Sequence, residues 1–161
     1  MKKLLMAMLL IPIFAHAAEL TCGAFDDRSL CRRVLAAGEK DLVGVTAEQA
    51  FKKYAANEVA ADNEFKSKYV IITGKVLEIS KDWQNSVVLT LRAGPGLMDR
   101  VQLRLFERQI SMVSATGTGT SITSKKVDDV ADKIKVGQQI EAECKGSGMV
   151  LKTPIFRECL L

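Results

Sequence analysis

The spacing of apolar side chains changes from helical to strand-like near the middle of the chain. Thr46-Ala-Glu-Gln49 is a capping box, and Ala47, Ala50, Phe51, Tyr54, Ala55 and Val59 then recur every three or four positions. That spacing predicts a helix over 47–61, ending at Asp62-Asn63. A shorter stripe, Leu30, Cys31, Val34 and Leu35, predicts a helix over 25–37, capped by Asp26 or Asp27 and stopped by Gly38. From Tyr69 the period is two. Val70, Ile72 and Val76 define a first strand, with Gly74 expected as a bulge. A second strand is expected over Val87–Arg92 and a third over Arg100–Phe106, where Val101, Leu103 and Leu105 face inward. Residues 107–113 fit either a helical stripe or a strand extension, and 114–124 are small and polar, as in a mobile loop. A third helix begins near Ser124, with Asp128 and Asp129 in its first turn and Val127, Val130, Ala131 and Ile134 as its stripe. A fourth strand is expected over Gln138–Cys144. A turn at Gly146 and Gly148 then leads into a fifth strand from Met149.

The order is helix, helix, three strands, loop with helix, two strands. A long first strand interrupted by glycine, a three-strand meander, an intervening helix and a closing hairpin describe a five-stranded OB barrel. The expected fold class is therefore mainly β with α: an OB-fold barrel preceded by two N-terminal helices, with a helix between strands three and four. The expected units are a leader at 1–17, a helical extension at 18–45 and an OB domain at 46–161 with an insertion at about 107–126.

The leader is read from MKKLLMAMLLIPIFAHAA, in which two lysines, an apolar run and Ala15-His16-Ala17 form a secretory signal with a small-x-small cleavage site. The apolar run is too short for a membrane span, and the mature chain is expected to hold no transmembrane segment. Cleavage removes Lys2 and Lys3, which lowers the formal charge of +4 by two, and it removes the single histidine, His16. A chain without histidine builds no Ser-His-Asp or Cys-His centre. No paired-carboxylate or nucleophile motif stands out either, so an enzyme is not expected.

Cys22, Cys31, Cys144 and Cys159 follow the leader. In an exported protein four cysteines read as two disulfides, for which three connectivities are open. There is no C-x-x-C pair, so neither a metal site nor a cofactor is expected. Local pairing, Cys22 with Cys31 and Cys144 with Cys159, is preferred. A straight hairpin turning at Gly146–Gly148 would, however, place Cys159 roughly 25–30 Å from Cys144, at about 3.3 Å per strand residue. Pro154 would then have to bend the last strand back. Glu19-Leu-Thr21 before Cys22 does not fit a lipid-attachment signal, so a periplasmic protein rather than a lipoprotein is expected.

Asn57-Glu-Val-Ala-Ala-Asp62, Tyr69 with Thr73-Gly-Lys-Val76, Ile79-Ser-Lys-Asp82 and Val88-Leu-Thr-Leu91 resemble the tRNA_anti-like family of exported OB-fold proteins. Val136-Gly-Gln-Gln-Ile140, Cys144-Lys-Gly146, Val150-Leu-Lys152 and Cys159 continue the likeness. It covers about 46–161, apart from 107–126. The resemblance implies the barrel, and it implies that Cys144 pairs with Cys159. It implies no particular ligand. Asn57 and Glu58 belong to the shared motif, and a structural role, bonding where the helix docks, is favoured for them over ligand contact.

OB barrels bind across strands two and three, between the loops that join strands one to two and four to five. On this register the outer face carries Thr90, Arg92, Arg100, Gln102 and Arg104. Lys81 and Trp83 come from the first loop, and Lys145 and Met149 from the second. Guanidinium groups beside a stacking ring suit an anionic or aromatic ligand. The small net charge and the single nearby aromatic disfavour nucleic acid. The expected function is a non-enzymatic exported binding protein for a protein or small anionic ligand. The alternatives are an inhibitor or immunity-type protein acting through the 107–124 insertion, and single-stranded nucleic-acid binding.

Overall fold

The structure is a computed structural model that describes residues 22–38, 42–116 and 119–161. The leader read over 1–17 lies outside the described residues.

Helix α1 spans Arg28–Gly38 behind one 3-10 turn, Cys22–Ala24. It starts later than the pattern predicts because Asp27 is the cap. Its carboxylate accepts the N–H groups of Ser29 at 2.8 Å and Leu30 at 2.9 Å. Strand β1, Val43–Thr46, was not foreseen. It runs parallel to residues 70–73 and delivers the chain into helix α2, Ala47–Ala56. Both arms of the capping box form, with the Thr46 side chain accepting the Gln49 N–H at 3.1 Å and the Gln49 side chain accepting the Thr46 N–H at 3.0 Å.

The single helix expected over 47–61 is two. Asn57 is extended at φ −161°, ends α2 and caps α3, Glu58–Phe65, by accepting the Ala60 N–H at 3.1 Å. A short amide side chain satisfies a free helix N–H well, which is why the break falls there. Asn57 thus has a structural role, directed at its own helix rather than at the sheet, while Glu58 is exposed.

Strand β2, Tyr69–Lys81, pairs with β3, Val87–Arg92, over its second half and with β7, Gln139–Val150, over its first. Strand β3 pairs with β4, Arg100–Leu105, and β4 runs parallel to β8, Thr153–Leu160, which returns to β7. The pairing circuit β2-β3-β4-β8-β7 therefore closes on β2. Ile72, Leu89, Leu91, Val101, Leu103 and Phe156 fill its interior. Helices α2 and α3 cover one end of it, where Tyr54, Phe65 and Phe156 stack with centroids 5.9 and 6.2 Å apart.

The register shift in β2 lies between Val76 and Glu78, not at Gly74. Gly74 serves packing instead, since a Cβ there would come within 3.0 Å of both Ala47 and Leu91. Residues 107–126, expected as a mobile loop with an ambiguous start, form a hairpin of β5, Arg108–Thr116, and β6, Gly119–Lys126. Period-two spacing is weak there because Thr and Ser occupy the alternate positions, yet β-branched Thr suits a strand. Helix α4 is short, Val127–Ala131, and Ser124 does not cap it. Ser124 instead bonds Asp26 through its N–H at 3.0 Å and its hydroxyl at 2.8 Å.

The final turn also differs from expectation. Strand β7 runs through Gly146 and Gly148, and the chain reverses at Leu151-Lys152, whose φ values of 48° and 63° are both left-handed. Two residues at positive φ are what a tight hairpin between twisted strands requires. Pro154 lies buried at the start of β8 with no need to bend it.

A second, smaller core lies outside the circuit. Phe25, Leu30 and Cys31 from the N-terminal segment pack with Ile122 of the hairpin and Leu160 of β8. Disulfide Cys22–Cys31 staples it, and Cys144–Cys159 joins β7 to β8. Arg33 ties the two cores together. Its side chain is 1% exposed and donates to the Glu158 carbonyl at 2.6 Å, to the Glu143 carboxylate at 2.7 Å and to the Glu143 carbonyl at 2.8 Å. Its guanidinium also lies 4.3 Å above the Tyr69 ring.

Candidate functional site

The loop between β2 and β3 is organised by Asp82. One carboxylate oxygen accepts the N–H groups of Gln84 at 2.8 Å and Ser86 at 3.0 Å, which closes the turn. The other accepts Arg104 Nε at 2.6 Å and a second guanidinium nitrogen, so the loop is held against β4. Burial alone would raise the Asp82 carboxyl, but hydrogen bonds from Arg104, Ser86 and Gln84 together hold it below its ordinary value.

This arrangement leaves Trp83 at the loop tip, 88% exposed. Trp83, Gln102 and Arg104, with Ser147 of β7 and Ile155 and Arg157 of β8, line a groove of about 340 Å³, in which Gln102 and Ile155 are register partners on adjacent strands. The volume falls in the range of small-molecule sites. Arg104 is already neutralised by Asp82. The Arg157 side chain is half exposed, with the nearest Glu158 oxygen 4.0 Å away. The groove therefore offers a bare indole face, a solvent-accessible guanidinium and an amide: groups able to stack a planar ring and hold an anion beside it.

The residues expected to form one surface fall into separate places. Trp83, Gln102 and Arg104 converge on the groove. Lys81 turns to α4 and pairs with Asp128 at 2.8 Å. Arg92 and Arg100 face each other at the opposite end of β3 and β4. Thr90 is only 2% exposed and is not available to a ligand. Lys145 lies in a strand rather than a loop, near the Tyr69 ring at 5.6 Å and Glu158 at 4.0 Å, and Met149 packs on the core. The displaced turn explains both: with the reversal at 151–152, Gly146 and Gly148 lie within β7. Sequence reasoning missed Ser147, Ile155 and Arg157 for the same reason. A turn placed at Leu151-Lys152 would have revealed Ile155 and Arg157 as the outward residues alternating with Pro154 and Phe156.

The family model that matches the chain is tRNA_anti-like, over residues 1–160. The match takes in 18–45 and 107–126, which the residue-by-residue likeness left out. No curated protein matches. Among solved structures, the chain is similar to a proposed nucleic acid-binding lipoprotein from Klebsiella pneumoniae subsp. pneumoniae MGH 78578. The two are 12% identical with a TM-score of 0.49, over 73% of this chain and 89% of that one.

Proposed function

We propose that this chain, which belongs to the tRNA_anti-like family, is a non-enzymatic binding protein exported to the periplasm, and that it holds a small anionic ligand or an anionic protein side chain. The closed circuit of β2, β3, β4, β8 and β7 reads as a five-stranded OB barrel, because its neighbour order and its parallel β4–β8 pair are those of that barrel. The hairpin β5–β6 is an insertion before the helix that precedes the fourth barrel strand. The leader pattern and the two disulfides support export.

One observation carries the binding reading: an almost fully exposed Trp83 lines the same preformed groove as Arg157. A large ring left in water at the rim of a polar groove stabilises nothing in the free protein, whereas it can stack on a ligand. The chain has one Trp, so its fluorescence reports on this groove alone. Titration with adenosine monophosphate, which carries both a planar ring and an anion, is expected to quench Trp83. Arg157→Gln should weaken the response at least tenfold. Trp83→Ala should leave thermal stability unchanged and abolish capture of the partner from envelope extract. Equal capture by the unaltered and Trp83→Ala proteins would sink the reading.

A second reading, an inhibitor-type protein acting through the insertion, is favoured by the exposed Met112 and Val113 on β5. Deleting 114–124 does not test it cleanly, because Ile122 is buried against the N-terminal segment. Met112→Lys with Val113→Lys does, since neither side chain supports a core.

A further inference from the structure

The end of the sheet opposite Trp83 carries a row of cations that form no ion pair among the described residues. Lys75 on β2 stands opposite Arg92 on β3, and Arg92 stands opposite Arg100 on β4. Directly opposed residues share a face of the sheet, so the three charges form a ladder across three strands, each step about 4.8 Å. Like charges in that register repel and destabilise a sheet. Three other arginines are held by acids: Arg33 by Glu143, Arg104 by Asp82, and Arg108 by Asp26 and Asp27. Among the described residues, no carboxylate lies within 4.0 Å of Lys75, Arg92 or Arg100. Arg100 Nε is buried and has no acceptor among them either. A buried guanidinium donor left unpaired costs free energy and calls for a reason.

Two members of the ladder, Lys75 and Arg92, border a groove that Arg100 does not line. They line this space of about 470 Å³ together with Thr73, Thr46 and Ala47 at the start of α2. The capping box occupies the N–H groups of Thr46 and Gln49, but not that of Ala47. The positive end of the α2 dipole adds to the field. Of the nearby acids, Glu48 also lines the groove but is paired with Lys52 at 2.7 Å, and Asp99 is engaged by the Gly96 N–H at 2.8 Å. Glu141 stands directly opposite Thr73, and Glu78 on β2 stands opposite Thr90, two positions before Arg92 on β3.

We infer that the Lys75–Arg92–Arg100 ladder is a binding site for a phosphate group, inorganic or borne on a small molecule, separate from the Trp83 groove. Lys75 and Arg92 offer a dianionic group two cations in the groove, with Arg100 next to Arg92 on the same face, and Thr73 and Thr46 supply hydroxyl donors of the kind that complete its coordination. The inference does not rest on the Trp83 reading, and either can fail alone.

The test is a titration of the purified protein with inorganic phosphate at constant ionic strength, read by backbone amide shifts and by thermal unfolding. Shifts confined to residues around 73–75, 92 and 100, with a rise of several degrees in the unfolding midpoint, are expected. Arg92→Gln with Arg100→Gln should remove both effects, whereas Lys68→Gln, at an exposed lysine just ahead of β2, should keep them. The double variant should be at least as stable as the unaltered protein without phosphate, because repulsion is relieved. Glucose 6-phosphate serves as the small-molecule arm: tighter binding than phosphate, with the same shifts, places the phosphate on a larger ligand. No shift at these positions overturns the inference, as does an equal rise in midpoint in the double variant. Binding of oligothymidylate without any response to phosphate or glucose 6-phosphate overturns it in favour of a strand-binding face.

Discussion

Cys144 and Cys159 lie across from each other on β7 and β8, with Cα atoms 4.1 Å apart, because the hairpin turns at Leu151-Lys152. Each cysteine is six residues from the strand end beside that turn, Val150 or Thr153. The straight-hairpin objection to this pairing disappears once the turn moves from Gly146–Gly148 to Leu151-Lys152. The bridge closes 15 residues, so its removal by Cys144→Ala with Cys159→Ala should cost about 3 kcal/mol. Urea unfolding of the double variant measures this. Loss of Cys22–Cys31 should instead loosen α1 and the β5–β6 hairpin. Amide exchange would then rise there and not in β2, β3 or β4.

Gly146 admits no side chain. A Cβ at this position would collide with the Phe65 carbonyl, and the backbone around it is tied on both sides. Its N–H donates to Lys68 at 2.9 Å and its carbonyl accepts from Ser67 at 2.9 Å. Gly146→Ala should destabilise the protein by about 1–3 kcal/mol or more, since the obstacle is backbone rather than a movable side chain. Gly44→Ala, which meets nothing within 4 Å, is the comparison and should be close to neutral in thermal unfolding.

Arg33 uses all three guanidinium nitrogens to fasten α1 to β7 and β8. Arg33→Ala should cost about 2–4 kcal/mol, from stranded acceptors and a half-desolvated Glu143. Arg33→Lys should rescue little, because one ammonium cannot reproduce a planar fork. Denaturant midpoints of the two variants would differ by a small fraction of the loss. Full rescue by lysine would show that charge alone matters.

Acid should weaken the fold through its hydrogen-bonded aspartates. Asp82, Asp26, Asp27 and Asp62 all titrate below their ordinary 3.8 in the folded chain. For Asp26 the leading cause is the Ser124 N–H, for Asp27 the Ser29 hydroxyl, and for Asp62 the Lys66 ammonium. A depressed folded value contributes stability that is present above the unfolded value and is lost as pH falls through the folded one. Unfolding midpoints should therefore be level near neutrality and drop below about pH 4. Arg104→Gln should lower the midpoint at neutral pH and flatten the acid limb, because the Asp82 carboxyl then returns toward its ordinary value. An unchanged acid limb would remove Arg104 from that account.

The local signals in the chain were strong where one face alone had to be buried. The alternation in 100–105, and in 87–92 apart from buried Thr90, marks which residues enter the core, and the Thr46 capping box marks the start of α2, because these depend on neighbours a few positions away. Trp83, Gln102 and Arg104 were legible for the same reason: one is at a loop tip and two alternate outward on a strand. What needed distant partners was not legible. Strand β1 exists because β2 offers it an edge, and β5 and β6 become a hairpin because Phe25 and Leu30 cover Ile122. Arg157 enters the groove only once the β7–β8 register is set. Leu151-Lys152 carries no glycine to announce a turn, whereas Gly146 and Gly148 do, although close approach to Phe65 is what Gly146 supplies. Short-range patterning thus decides which side chains are buried, and long-range pairing decides which exposed ones meet. Burial is a property of each residue and its near neighbours; a site requires register between strands far apart in the chain.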